Sequence, residues 1–245
     1  MDNILLTVSY DGTGFSGWQR QANAPSVQGE IERALSKLLK KNISVAGASR
    51  TDAGVHAAGQ RCSFKHENIN IPPDRLPYAL NSILRSDVVV TMAETVPPDF
   101  HARFSAKKKS YEYKIHNGTF INPLTKNYCW HVRAPLDINK MVSASKFFLG
   151  THDFKAFCAA GSGVLNYTRT VYALDVKTDG CTIIISITGD GFLYNMVRII
   201  AGTLAYAGLG KIDPGLITEI IISGDRTGAG ITAPPHGLTL TEIFY

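Results

Sequence analysis

The chain has 245 residues, of which 44% are hydrophobic and 18% charged, as in a globular protein large enough to bury a core. Its formal net charge of +5 is a modest basic excess, consistent with a polyanionic partner. The four cysteines form no CxxC pair, which argues against a zinc site and a disulfide framework. No apolar run approaches the roughly 18 residues of a membrane span, so we expect a cytoplasmic protein with reduced thiols.

Hydrophobic periodicity in the first half of the chain predicts strands that alternate with helices. Ser26 is a candidate N-cap for the first helix, because apolar residues follow it at helical spacing. Strands are expected over residues 4–10, 43–46, 60–65 and 88–93, and helices over residues 26–40 and 74–84.

The second half continues this alternation and adds a hairpin. Asp179-Gly180, between two β-branched runs, is typical of a two-residue hairpin turn, and Asp137 is a candidate helix N-cap. Tyr111 and Tyr113 should share one face of their strand, because side chains alternate along a strand. Strands are expected over residues 110–116, 168–177, 182–188 and 238–244, and helices over residues 137–149, 192–207 and 214–223.

Strands joined both by hairpins and by helices predict an α+β fold with a mixed, mainly antiparallel sheet. Each half has a strand–helix–strand–strand–helix–strand character that is loosely ferredoxin-like. We place the boundary between the halves near residues 104–107. This divides the chain into an N-terminal lobe, residues 1–104, and a C-terminal lobe, residues 105–245.

The most informative segment is the loop Gly47-Ala-Ser-Arg-Thr-Asp-Ala-Gly-Val-His56, which follows a predicted strand. Catalytic groups concentrate on loops held by a rigid scaffold, and Asp52 in this polar loop is not placed for packing. The alternative is an Asx turn, in which the Asp52 carboxylate only accepts hydrogen bonds from nearby backbone N–H groups.

A second glycine-rich segment, Gly12-Thr-Gly-Phe-Ser-Gly17, fits the G-x-G-x-x-G pattern of dinucleotide sites and follows a predicted strand. In such sites the glycines open a helix, but the residues from Trp18 to Pro25 have no helical pattern. No acidic residue ends a second strand at the required distance. We therefore reject a nucleotide-dependent enzyme. The block Gly224-Asp-Arg-Thr-Gly-Ala-Gly230 is likewise predicted to be a loop rather than a phosphate cradle.

Five blocks of the sequence, the Asp52 loop among them, form an ordered set. The first two are Val8-Ser-Tyr-Asp-Gly-Thr-Gly-Phe-Ser-Gly-Trp-Gln-Arg-Gln21 and Ser49-Arg-Thr-Asp-Ala-Gly-Val-His-Ala57. The others are Phe100-His-Ala-Arg-Phe-Ser-Ala106 with Lys109-Ser-Tyr-Glu-Tyr-Lys-Ile115, then Gly191-Phe-Leu-Tyr-Asn-Met-Val-Arg-Ile-Ile-Ala-Gly202, and Ala233-Pro-Pro-His-Gly-Leu-Thr-Leu240. In this order they resemble the motifs of the tRNA pseudouridine synthase A family.

The resemblance implies an isomerase that converts uridines 38, 39 and 40 in the anticodon stem-loop of tRNA to pseudouridine. It implies two lobes that share the sheet, a basic cleft between them, and a homodimer. It also implies that Asp52 is the catalytic nucleophile or base and that Tyr111 and Arg198 belong to the active site. Because the isomerisation changes no oxidation state and adds no atom, we expect neither a cofactor nor a metal.

Arg198 also stands out from the sequence itself, as the only charged residue from Gly191 through Gly210. A charge in such an apolar helix is seldom buried without a partner, and by the resemblance that partner is Asp52. Asn195 and Gly202 are expected on the same helix face, three and four residues away. The alternative is an arginine that snorkels to the surface.

Several further residues are candidates for substrate binding. Tyr111 is placed to stack on the target base, although a strand tyrosine is otherwise more often part of the core. Arg50 is a candidate for filling the space left by the base or for holding its phosphate. The candidates for RNA-backbone contacts are Arg20, Lys65, Arg103 and the run Lys107-Lys-Lys109, although a triple lysine is by default a solvated surface run.

A competing interpretation is a non-catalytic RNA-binding module, because ferredoxin-like lobes also form RRM domains. Such a module predicts an RNP1-type aromatic motif, which the sequence lacks. It also gives no reason for the segment Arg50-Thr-Asp52. The sequence therefore favours the enzyme.

Overall fold

The computed structural model describes residues 2–67, 69–161 and 163–245. The chain divides into two compact units, Met1–Lys107 with Thr239–Tyr245, and Lys108–Leu238. The strands are β1 (Asp2–Tyr10), β2 (Ala46–Gly47), β3 (His56–His66), β4 (Val88–Val96), β5 (Lys108–His116), β6 (Trp130–His131), β7 (Gly150–Asp153), β8 (Thr168–Asp179), β9 (Thr182–Gly189) and β10 (Leu238–Phe244). The helices are α1 (Val27–Leu39), α2 (Leu76–Asn81), α3 (Ile138–Ser145), α4 (Met196–Gly208) and α5 (Ile217–Ser223). The predicted α+β class is confirmed.

The sheet of the first unit is mixed. Its strand order is β4-β1-β3-β10, with β1 antiparallel to both β3 and β4. The last strand, β10, runs parallel to β3, with Thr239 opposite His56. Short β2 pairs antiparallel with β3, so the loop between these two strands starts and ends beside the centre of the sheet.

Helix α1 of the first unit begins where the sequence predicts. The Ser26 hydroxyl accepts a hydrogen bond from Gly29 N at 3.3 Å and caps the helix. The face that includes Val27, Ile31 and Leu35 is fully buried, which follows from apolar residues at helical spacing. The helix ends at Lys40, whose φ of 51° is left-handed.

The second unit contains an antiparallel sheet of order β5-β9-β8-β7, and β6 runs parallel to β5. The predicted hairpin joins β8 to β9 at Asp179-Gly180, and Gly180 has the left-handed φ of 55°. Tyr111 and Tyr113 lie on one buried face of β5, as predicted. Helix α4 is buried along most of its length and forms the centre of this unit's core.

Several predicted boundaries are wrong. The strand expected over residues 43–46 survives only as β2, because Val45 N donates to the buried Glu32 carboxylate at 3.0 Å instead of to a strand. The helix expected from residue 192 begins at Met196, because Asn195 has a left-handed φ of 62°. The helix expected over residues 74–84 is the shorter α2, and the strands β6 and β7 were not predicted.

Candidate active site

The loop that carries Asp52 joins β2 to β3 in the first unit. Its first residue is held by the hydrogen bond from Ala48 N to Arg61 O, at 2.7 Å. A tight turn follows Asp52, in which Val55 N donates to Asp52 O at 3.1 Å and Gly54 has a φ of 77°. Asp52 itself is half-buried. The carboxylate is therefore carried by a short loop that is closed at both ends.

A buried polar network holds the residues that precede Asp52. The Gln60 side chain, fully buried on β3, donates from Nε2 to Ser49 O at 2.8 Å and accepts at Oε1 from Ser49 N at 3.2 Å. The Tyr10 hydroxyl lies 2.7 Å from Thr51 Oγ1. Because both strands belong to the same sheet, these contacts fix the loop backbone against a rigid support.

The glycine-rich segment 12–17 packs against the same loop. A Cβ on Gly17, whose φ is 96°, would lie 2.7 Å from Thr51 O, and Trp18 N donates to that carbonyl at 3.0 Å. A Cβ on Gly12 would lie 2.1 Å from Val55 O. These glycines thus allow segment 12–17 to approach the Asp52 loop closely, both before and after Asp52. Helix α1 starts only at Val27, which agrees with the rejection of a dinucleotide site.

Sequence reasoning missed Gln60, although a signal was present. Gln60 shares its strand face with the buried residues Cys62 and Phe64, so it is a polar side chain at a core position. Buried polar groups need hydrogen-bond partners. A partner in the adjacent loop was therefore to be expected, but its identity depends on the strand register.

We expect Gln60→Leu to lower the free energy of unfolding by about 1–3 kcal/mol, because buried hydrogen bonds to the loop are lost. Urea denaturation measures this change. The matched control is Gln21→Leu, whose amide donates to Ser16 O at 2.9 Å on the exposed surface. This control should stay within about 0.5 kcal/mol of the parent. Equal effects of the two substitutions would show that the network does not support the loop.

Tyr111 is held on β5 of the second unit, opposite Ile187 of β9. Its ring meets Phe192 edge to face, with centroids 5.3 Å apart, and the residue is 6% exposed. The neighbouring Tyr113 hydroxyl donates to Pro234 O at 2.8 Å, and burial raises the pKa of Tyr113 well above its usual value. Tyr113 therefore acts as a neutral hydrogen-bond donor in the core.

Arg198 lies in the first turn of α4, and its guanidinium is fixed by two hydrogen bonds. Nε donates to Ala233 O and Nη1 donates to Asn195 Oδ1, both at 2.7 Å. Ala233 N in turn donates to Arg198 O at 3.1 Å. The predicted proximity of Asn195 to Arg198 is confirmed, but the shared helix face is wrong, because Asn195 precedes α4 with a left-handed φ of 62°. A half-buried guanidinium tied to the backbone also contradicts the alternative of an arginine that snorkels freely to solvent.

The segment 226–233, which follows α5, is the one that holds Arg198. Arg226, half-buried, donates to Gly230 O at 2.8 Å and to Thr232 Oγ1 at 3.1 Å. Gly230 N donates to Thr203 Oγ1 of α4 at 2.9 Å. The predicted loop over residues 224–230 is confirmed, with one short 3₁₀ turn at Arg226–Gly228. Sequence analysis did not assign Arg226 this supporting role.

The remaining candidate residues are basic, and all of them except the half-buried Lys109 are exposed. Arg20 Nη1 lies 3.0 Å from the buried Glu32 carboxylate, so this arginine is anchored at one edge of its guanidinium. Arg50, Lys65 and Arg103, all in the first unit, are exposed. The sequence run 107–109 crosses the unit boundary, and Lys108 Nζ lies 5.0 Å from the centroid of the Tyr172 ring.

Across residues 2–67, 69–161 and 163–245 there is no cluster of three or more His, Cys, Asp or Glu side chains able to hold a metal ion. In the same ranges no helix is long and apolar enough to cross a membrane.

Comparison with known proteins identifies the class to which these features belong. The family model described as tRNA pseudouridine synthase matches residues 6–105 and 144–245, so the chain belongs to this family of isomerases. Proteins named tRNA pseudouridine synthase A are similar to it over its full length. The examples from Thermoanaerobacter sp. (strain X514), Ruminiclostridium cellulolyticum and Acetivibrio thermocellus are 51%, 48% and 46% identical, with 100% of each chain covered. The resemblance seen in the five sequence blocks is thereby confirmed.

Proposed function

We propose that this protein converts uridines 38, 39 and 40 in the anticodon stem-loop of tRNA to pseudouridine, with Asp52 as the catalytic carboxylate. The proposal rests on the family and on the relatives named tRNA pseudouridine synthase A. The structural observation that supports it best is the Asp52 loop, a half-buried carboxylate on a loop fixed by the Gln60 and Tyr10 contacts. A catalytic group must be held in place in this way if it is to reach one atom of a substrate.

The reaction needs only the chain's own side chains. The N1–C1′ bond of uridine breaks, uracil turns, and a C5–C1′ bond forms before the C5 proton leaves. Asp52 assists the first step either by attacking C1′ as a nucleophile or by taking a sugar proton as a base. In the first case an ester at C1′ forms and is displaced by C5, and in the second the proton returns to the sugar. Both routes restore the carboxylate.

We assign Arg198 as the counter-charge of Asp52. A carboxylate in a water-poor site stays ionised when a cation lies nearby, because the attraction offsets the cost of desolvation. The guanidinium of Arg198 is suited to this role, since two hydrogen bonds already fix its orientation. An arginine also presents a planar, forked set of donors that matches a carboxylate.

We assign Tyr111 to the target base. The edge-to-face contact with Phe192 fixes the orientation of its ring, so the ring can serve as a stacking surface. Its hydroxyl is our candidate for removing the C5 proton after the base has been rejoined. The two roles, stacking and proton removal, predict different effects of removing the Tyr111 hydroxyl.

We expect Tyr111→Phe to bind tRNA normally but to accumulate a C5-linked adduct, because the ring is kept and only the hydroxyl is lost. Tyr111→Leu should instead weaken productive binding by about 1–3 kcal/mol, since the stacking surface is lost. Rapid-quench analysis of the RNA distinguishes an accumulated adduct from weakened binding. Release of finished pseudouridine by Tyr111→Phe at the parent rate would assign Tyr111 to stacking alone.

The target base is part of a folded stem-loop and must be turned out of its stack before Asp52 can reach C1′. Unstacking costs a few kcal/mol, which contacts to the RNA backbone must offset. We assign these contacts to Arg20, Arg50, Lys65 and Arg103, of which Arg50 is the nearest in sequence to Asp52. We further propose that the protein acts in the cytoplasm as a homodimer, so that one tRNA contacts both subunits.

Mapping of the modified positions tests this function. Transcripts with uridine at only one of positions 38, 39 and 40 are incubated with the purified protein, treated with carbodiimide and read by primer extension. We expect a pseudouridine-dependent stop at each position. If the protein binds the transcripts but primer extension shows no stops, the non-catalytic RNA-binding module is favoured.

A further inference from the structure

Phe104, in the first unit, presents a large aromatic ring to solvent. The residue is 77% exposed, whereas Ala102, two positions earlier, is fully buried. An exposed apolar side chain alone says little. Two polar neighbours, however, lie close to this ring: the His101 ring centroid is 4.5 Å from its centroid and the Arg103 guanidinium carbon is 5.7 Å from it.

The turn that carries Phe104 and the residues just before it are fixed by side chains from three separate segments. The residues just before this turn are held by the buried Asn3 amide of β1, which donates to Pro97 O and Phe100 O, each at 2.9 Å. Ser63 Oγ of β3 accepts from Ala102 N at 3.2 Å, and the Tyr245 hydroxyl donates to Ala102 O at 2.9 Å. The backbone below the ring is therefore anchored to the sheet.

His101 fixes the tip of the same turn. Its Nδ1 accepts from Arg103 N at 3.1 Å and lies 3.4 Å from Phe104 N, while Ser105 N donates to His101 O at 2.9 Å. The backbone on both sides of the ring is thus ordered before any ligand binds. A ligand that stacks on Phe104 would not have to order this turn, which lowers the entropic cost of binding.

The charge beside the ring is available to an anion. Arg103 is exposed, and within the described ranges it forms no ion pair with a carboxylate. An exposed ring next to an uncompensated guanidinium matches the two parts of a nucleotide, a flat base and a phosphate. An apolar protein partner fits less well, because Arg103 and Ser105 flank the ring.

We propose that Phe104 is a stacking platform for an unpaired base of the tRNA and that Arg103 binds an adjacent phosphate. This inference rests on the proposed function, since it takes tRNA as the ligand, and it adds a base-binding residue to it. The platform belongs to RNA binding and takes no part in bond breaking. Its loss should therefore raise KM and leave kcat nearly unchanged.

The test compares Phe104→Ala and Phe104→Trp with Phe120→Ala, which removes an 86% exposed phenylalanine outside this turn. We expect Phe104→Ala to weaken tRNA binding by about 5- to 150-fold, the range measured for loss of one base–aromatic stack. Phe104→Trp should retain binding, and Phe120→Ala should match the parent. All three should unfold at the same urea concentration, because the exchanged rings are exposed.

A scan of abasic sites through the anticodon stem-loop identifies the stacked base. For the parent protein, one abasic position should weaken tRNA binding. For Phe104→Ala, whose affinity is already reduced, an abasic site at the same position should cause little further loss of affinity. Arg103→Ala should reduce the salt dependence of binding by about one counterion, whereas Phe104→Ala should leave it unchanged. Parent-like affinity of Phe104→Ala in an active preparation would overturn the platform. Absence of pseudouridine from the parent reaction would instead overturn the proposed function.

Discussion

Replacing Asp52 with asparagine is expected to abolish pseudouridine formation while tRNA binding survives. Asparagine keeps the size of the side chain but loses its charge, nucleophilicity and basicity. We expect turnover to fall by roughly 10⁴-fold or more, as for the loss of other catalytic nucleophiles. Affinity should remain within about threefold of the parent, because most of it comes from phosphate contacts. Single-turnover assays and filter binding with the same tRNA measure the two quantities.

The control for Asp52→Asn is Asp74→Asn, which neutralises an exposed carboxylate of the same unit whose neighbour is Arg75. This control should turn over like the parent. Turnover by Asp52→Asn within tenfold of the parent would remove Asp52 from the chemistry and leave the Asx-turn interpretation of this loop.

Replacing Arg198 with alanine is expected to lower both stability and rate. The hydrogen bonds to Ala233 O and Asn195 Oδ1 are lost. If Asp52 is its partner, a carboxylate also loses its counter-charge, for which about 3–5 kcal/mol is typical of a buried pair. Arg198→Lys should rescue only part of the loss, since lysine lacks the planar fork. Urea denaturation and single-turnover rates report the two effects.

A double-mutant cycle separates pairing with Asp52 from simple support of α4. If the two residues form a pair, Arg198→Ala should cost less stability in the Asp52→Asn background than in the parent. Asn195→Gly is the matched control, because it removes only the side-chain bond to Arg198 and glycine accepts the left-handed φ at this position. Additive effects of Arg198→Ala and Asp52→Asn would contradict the pairing.

The parts of this fold that depend on local pattern could be predicted from the sequence. Ser26 as an N-cap, the Asp179-Gly180 hairpin and the shared face of Tyr111 and Tyr113 each follow from the chemistry of a few adjacent residues. The start of α4 was not predicted, because it depends on the left-handed φ of 62° at Asn195, whose side-chain bond to Arg198 is seen only in the folded chain.

The supporting contacts of the candidate site depend on long-range pairing. The bond from Gln60 to Ser49 requires the register of β3 against the loop, which no local signal encodes. The parallel pairing of β10 with β3 brings the last residues of the chain back to the first unit. The sequence shows the glycines Gly12 and Gly17 but not why glycine is needed there. The folded chain gives the reason, which is their close approach to the Asp52 loop.

Tritium release from C5 of uridine measures the proposed isomerisation directly. The purified protein is incubated with tRNA that contains 5-tritiated uridine. The C5 hydrogen is lost only after C5 has bonded to C1′. We predict multiple-turnover release of tritium in step with pseudouridine formation, and release at the background level with Asp52→Asn. Stable binding of the tritiated tRNA by the unsubstituted protein without release of tritium would show that the protein is not a pseudouridine synthase.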